Sequence, residues 1–244
     1  MKTSLRKLSR AHFLGFSVVV AVIGLVVWQV IAWASRQAEY EQIQTSTYNV
    51  FVAIHNYNDI TDELPPTEGD FASWRGTVSW RVLTAGYMEA KVWKDTPLDQ
   101  PLHRQQRHEW AKQGRGAELT NYYSGENPPN ARFIAIVGHG TAWDREAYPD
   151  FDHLHETALI FVTVPDSNIH WMDPGDWTQE ELFAALEKLG EQPIGLAFAY
   201  AGPVVVSANV PPDVLRRFCD VESARDASLD LLEPYILKAW ERSP

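Results

Sequence analysis

The spacing of apolar and polar positions changes along the chain, and each change marks an element. From Phe13 to Ala34 the only clearly polar side chains are Ser17 and Gln29, so no face of a helix is distinguished. At about 1.5 Å rise per residue this run reaches ~33 Å, enough to cross a hydrocarbon core. Beyond it, Tyr40, Ile43, Thr47, Val50, Phe51 and Ile54 recur at three- and four-residue steps, the stripe of an amphipathic helix. After Tyr40 no Gly or Pro intervenes before Pro65-Pro66. The pattern predicts one helix from about Phe13 to Asn58, apolar all round in its first half and amphipathic in its second. The alternative is a membrane anchor followed by a separate short helix.

Downstream, "DELPPTEGDF" (62–71) is punctuated as a loop, and "SWRVLTAGYMEAKVW" (79–93) carries Trp80, Val82, Leu83, Tyr87, Met88 and Val92 in a short helical pattern. "DQPLHRQQRHEWAKQGRGAELTN" (99–121) is polar and basic, an excursion or surface loop. "ARFIAIVG" and "TALIFVTV" are β-branched and aromatic runs, the clearest strands, with an acidic loop from Asp150 to Glu156 between them. "DWTQEELFAALEKLG" predicts a helix with Thr178 as N-cap, Glu181 closing a capping box and Gly190 as C-cap. Its apolar face is Leu182, Phe183, Leu186 and Leu189. "IGLAFAY" and "VVVSANV" predict a hairpin around Ala201-Gly202-Pro203, followed by a helix from about Asp213 and an amphipathic piece from Leu229 to Trp240. A helical stem followed by antiparallel strands places the chain in the α+β class.

Charge sharpens the compartment. The formal net charge is −11, yet residues 1–36 carry Lys2, Arg6, Lys7, Arg10 and Arg36 and no carboxylate, a contribution of +5 that leaves −16 on the remainder. So acidic a body repels phosphate backbones, which argues against nucleic-acid binding, and no nucleic-acid partner is expected. The basic cluster ahead of the apolar run should stay cytoplasmic, and Trp28 and Trp33 suit the far interface. Ala32-Trp33-Ala34 satisfies the small-x-small cleavage rule, so a signal cut after Ala34 is the competing reading. Cys219 is the only cysteine, which rules out an intrachain disulfide and predicts a small core residue.

Among candidate chemistries, His153-x-His155 beside Asp150, Asp152 and Glu156 would make a bidentate metal ligand if the segment were a strand. The plainer reading is a solvated acidic loop, and no metal or other cofactor is expected. "GHGT" at Gly138 to Thr141 lacks the Lys and helix of a phosphate loop and predicts a tight turn. "IHWMDPGDW" from Ile169 offers either an exposed aromatic contact surface, through Trp171 and Trp177, or a turn packed onto the next helix.

Several stretches together resemble the bacterial pilin-like family known as domain of unknown function 1559, whose members often carry a prepilin-type N-terminus. They are Gly15-Phe16-Ser17 opening the apolar run, "LPP" at Leu64 to Pro66, "SWRVLTAGYMEAKVWKDTPLD", "NARFIAIVGHGTAWD", "ETALIFVTVPDSNIHWMDPGDW", and Phe198 to Val206 followed by "PPDVLRRF". The chain departs from the family twice. Ala201-Gly202 stands where a His-spaced Asp-Gly would be, and Val20 stands where pilin-like stems carry the assembly Glu. The resemblance implies a pilin-like stem packed on an antiparallel sheet with additional short helices. It also implies that calcium, if held at all, would sit among Asp and Glu oxygens in a loop.

The expected organisation is a cytoplasmic basic segment (1–12), a transmembrane helix (13–34), an amphipathic stem (35–62) and an α+β ectodomain (63–244). The expected function is a non-catalytic, single-pass inner-membrane protein, N-terminus cytoplasmic and C-terminal domain periplasmic, held in the bilayer by residues 13–34. It would serve as an accessory or interaction module among other envelope proteins of a secretion or pilus-type system, left unprocessed at its N-terminus. The alternatives are an anchored periplasmic metal-dependent hydrolase and a soluble periplasmic binding protein released by signal cleavage.

Overall fold

The computed structural model describes residues 2–67, 79–85, 87, 130–144, 146–171 and 173–237. The expected basic loop at 99–121, the second half of the 79–93 pattern, the end of the 62–71 loop and the end of the Leu229–Trp240 piece lie outside these residues. The chain divides between Glu41 and Gln42 into two compact units. One helix, α1 (Lys2–Thr61), runs past both expected ends. Within the first unit its apolar side chains are exposed, among them Phe16, Ile23, Trp28 and Ile31. Among the described residues this is one helix long and apolar enough to cross a membrane.

In the second unit α1 is amphipathic as expected. Ile43, Thr47, Val50, Ala53 and Ile54 are buried, while Tyr48 and Ile60 face outward. The helix stops where Asp62 takes a left-handed conformation (φ 55°) and Leu64 N–H turns to the Pro149 carbonyl at 3.0 Å.

The sheet is antiparallel, in the order β1 (Phe133–Ala135), β2 (Leu159–Thr163), β3 (Pro193–Phe198) and β4 (Gly202–Ser207). Every residue of β2 is buried, because both sheet faces are covered. Register places Thr163 opposite Gly195 and Val162 opposite Leu196, so these pairs look to opposite faces. On one face Thr47 of α1 meets Thr163, hydroxyl to hydroxyl, at 2.8 Å. On the other, Phe218 of α4 (Pro212–Cys219) meets Phe198 edge-on with ring centroids 5.4 Å apart. The other α-helices among the described residues are α2 (Trp80–Ala85), α3 (Gln179–Leu189) and the single turn α5 (Val221–Ala224).

Local signals were realised closely. Thr178 and Glu181 form the reciprocal capping box of α3, with Glu181 N–H to Thr178 Oγ1 at 3.3 Å and Thr178 N–H to Glu181 Oε2 at 2.8 Å. "GHGT" is a tight turn, Thr141 N–H bonding the Gly138 carbonyl at 3.2 Å. A Cβ on Gly140 would lie 2.7 Å from Asp220 Oδ2, so only glycine lets this turn approach the start of α5. Cys219 is buried, and its thiol is pushed up to about 12 by that burial.

One expectation needs correction, and two others are made specific by the structure. The β3–β4 turn is Ala199-Tyr200-Ala201, and Gly202 and Pro203 already pair with Phe198 and Ala197, so Pro203 is the second residue of strand β4. The last amphipathic piece opens as a 3-10 helix, Leu229–Tyr235, in which Pro234 has no N–H to donate to an α-helical bond, and Ile236 then bridges to Val206. Trp171 is fully buried and Trp177 half-buried, which rules out the exposed aromatic surface. Trp177 is instead bridged to β1, its N–H reaching the Ala135 carbonyl at 3.1 Å.

The most demanding contact inside the second unit is a buried ion pair. Arg81, the second residue of α2, is fully buried and donates to Asp176 Oδ1 at 2.6 Å. Its Nε also reaches the Phe133 carbonyl at 2.5 Å, and its other nitrogens reach Ser79 Oγ at 2.9 Å and the Gly175 carbonyl at 3.2 Å. Asp176 Oδ1 accepts two further bonds, from Trp80 Nε1 at 3.1 Å and Ala135 N–H at 2.8 Å. Burial pushes the Asp176 carboxyl above its usual range, while Arg81 and these donors pull it back.

Two outcomes follow for stability. Gly195 lies under α1, so a Cβ there would press into Thr47 Oγ1 and stand 3.0 Å from Thr163 Oγ1. Gly195→Ala should destabilise the folded unit by about 1–3 kcal/mol in urea unfolding, and adding Thr47→Ala should recover part of the loss. Arg81→Met should cost about 3–5 kcal/mol by stranding the Asp176 carboxylate, and the Arg81→Met/Asp176→Leu pair should cost less than Arg81→Met alone.

Candidate functional site

The segment ahead of β2 does not form a strand. Phe151–His153 is a 3-10 turn and Glu156-Thr157 a second turn, so the two imidazoles do not share a strand face. His153 Nδ1 pairs with Asp150 Oδ1 at 2.6 Å, whereas His155 Nδ1 faces Thr157 Oγ1 at 3.1 Å. Among the described residues no group of three or more His, Cys, Asp or Glu is arranged to hold a metal ion.

His155 instead lines an open pocket of about 560 Å³ at one end of the sheet. The pocket is built by three segments. The first is the turn at His155, Glu156 and Thr157. The second is Ala201 of the β3–β4 turn, held in place by Tyr200 and Ala201 N–H groups that both donate to the Glu156 carbonyl at 3.0 Å. The third runs from Arg225 to Leu229, just after α5, and is tied in by the Thr157 hydroxyl donating to the Ala224 carbonyl at 2.6 Å. Carboxylates, a guanidinium, an imidazole and two hydroxyls (Thr157 and Ser228) share the lining with the apolar Ala201, Ala227 and Leu229.

Beside this pocket an aromatic wedge joins α1 to the β3–β4 turn. His55 of α1 stacks on Phe151 with ring centroids 4.2 Å apart and lies edge-on to Phe51 at 4.4 Å. Phe151 in turn meets Tyr200 at 5.9 Å. His55 Nε2 donates to the Ala199 carbonyl at 2.8 Å. Burial lowers the His55 pKa, and the Ala199 carbonyl and Asp59 oppose the shift only in part. Tyr200 is about half exposed; burial and then Asp152 raise its phenol.

Sequence reasoning singled out His155 and Glu156 but as members of an acidic loop, and it passed over His55, Arg81, Asp176 and the 225–229 wall. His55 follows Phe51 by four residues on the stripe, which was the one local signal available. No protein-family model, curated protein or solved structure matches this chain.

The His55 environment sets a pH dependence. Its folded-state pKa lies below the unfolded value of about 6.5, so the neutral ring is the stable partner in the wedge. The stability it contributes is present above about pH 6.5 and is lost as pH falls, because the unfolded chain takes up the proton more readily. Urea unfolding from about pH 7.5 to pH 5 should show a steeper loss in the native chain than in His55→Phe, the difference isolating this group.

Proposed function

We propose that the chain is a single-pass, membrane-anchored, non-catalytic module with an extracytoplasmic α+β unit of pilin-like type. It acts as an accessory or interaction subunit of an envelope secretion or pilus-type system in the inner membrane. The observation that carries this reading is the change of character within the single helix α1. Its membrane-length stretch is exposed and apolar on every side, while its last turns are amphipathic and belong to the packed unit. A soluble protein has no use for such exposed apolar area, whereas a bilayer covers it. Lys2, Arg6, Lys7 and Arg10 precede the stretch and favour a cytoplasmic N-terminus.

The pilin-like part of the reading draws on the motifs quoted above and on the helix-on-antiparallel-sheet packing. Val20 supplies no carboxylate to pair with a neighbour's amine, so the stem is held by apolar length alone. An acid at mid-bilayer costs roughly 2.5–3.5 kcal/mol unless paired, and that cost, with its docking drive, is missing here.

The chain should remain in the membrane pellet after alkaline carbonate extraction, and protease added to spheroplasts should degrade the folded unit. Ile23→Arg/Val27→Arg, costing roughly 2.5–3.5 kcal/mol per charge at the bilayer centre, should release the chain from the pellet. A soluble native chain, or a mass corresponding to a start at Phe16 or Ser35, would overturn the reading.

A further inference from the structure

Thr157 determines which nitrogen of His155 carries the proton. The Thr157 hydroxyl has one hydrogen, and the Ala224 carbonyl 2.6 Å away can only accept it. The contact at 3.1 Å between Thr157 Oγ1 and His155 Nδ1 is then a bond donated by the imidazole. In the neutral ring this leaves Nε2 bare, an acceptor without a partner among the described residues, on the ring edge turned away from Thr157. The tautomer is assigned from the hydrogen-bond pattern.

The charges around it are unequal. Arg225, the cation of the lining, is engaged by Glu222 Oε1 at 3.2 Å. Glu156 and Asp226 line the same pocket with no ion-pair partner among the described residues. An acceptor nitrogen and two uncompensated carboxylates select a ligand that donates hydrogen bonds and carries positive charge. The acidic body reinforces that choice at longer range. Ala201, Ala227 and Leu229 offer an apolar stretch for a carbon stem, and about 560 Å³ accommodates a small molecule.

We propose that this pocket is a binding site for a small alkylammonium ligand, with His155 Nε2 accepting one ammonium N–H and Glu156 and Asp226 balancing its charge. The site is independent of the membrane anchor.

The test uses the full chain in nanodiscs at about pH 7.5. Long-range proton–nitrogen spectra of the His155 ring should place the proton on Nδ1. Titration with n-butylammonium should shift the Nε2 resonance saturably, and 1-butanol at equal concentration should leave it unmoved. The exposed pair Glu156→Gln/Asp226→Asn should keep the fold and weaken binding by roughly tenfold or more, and Thr157→Val, which frees the ring, should weaken it as well. A proton found on Nε2, a response that never saturates, or an equal response to 1-butanol overturns the proposal.

Discussion

The second unit depends on how closely α1 approaches the middle of the sheet. Gly195 has no Cβ, and the space is taken by Thr47 from the helix and Thr163 from the neighbouring strand. The two hydroxyls bond each other at 2.8 Å, and Thr47 also donates back to the Ile43 carbonyl, so the buried oxygens are satisfied without water. This closeness brings Ile43, Val50 and Ile54 into the core and covers the face of β2 and β3 that α4 does not reach. A bulkier residue at 195 would lift the helix and reopen the face along its length.

A second constraint holds α2, β1 and the segment before α3 together. Arg81 spends its donors on two backbone carbonyls, a hydroxyl and a carboxylate, and Asp176 Oδ1 collects three donors. Such a pair is costly to desolvate and gives little net stability against an apolar replacement. Its effect is directional, because no other side chain satisfies that set of partners. The aromatic cluster beside it, Trp80 against Trp143 and Phe161, then packs in a single arrangement.

The first constraint carries through to the end of the sheet where the polar pocket lies. Docking α1 carries His55 between Phe51 and Phe151, and His55 holds the Ala199 carbonyl of the β3–β4 turn. That turn donates two backbone bonds to Glu156, which sets the rim of the polar pocket, while Thr157 ties the same rim to the end of α5. The pocket is therefore a product of helix docking, turn geometry and one threonine rather than of any motif.

What was legible in the sequence was local. Hydropathy spaced at three and four residues determined α1 and its buried stripe, because helical periodicity is set by neighbours within two turns. The α3 capping box was readable for the same reason, its partners being three residues apart. The apolar run likewise determined a helix long and apolar enough to cross a membrane. Arg81 was not legible as a buried residue, because its partners Phe133 and Asp176 are 52 and 95 positions away. The pocket was hidden on the same ground. His155 reads as one imidazole in an acidic loop until Thr157, bonded to a carbonyl 67 positions on, orders its protons and brings the 225–229 wall against it. Tertiary structure alone decided these features, since burial, tautomer and charge balance depend on which distant groups are brought within hydrogen-bond reach.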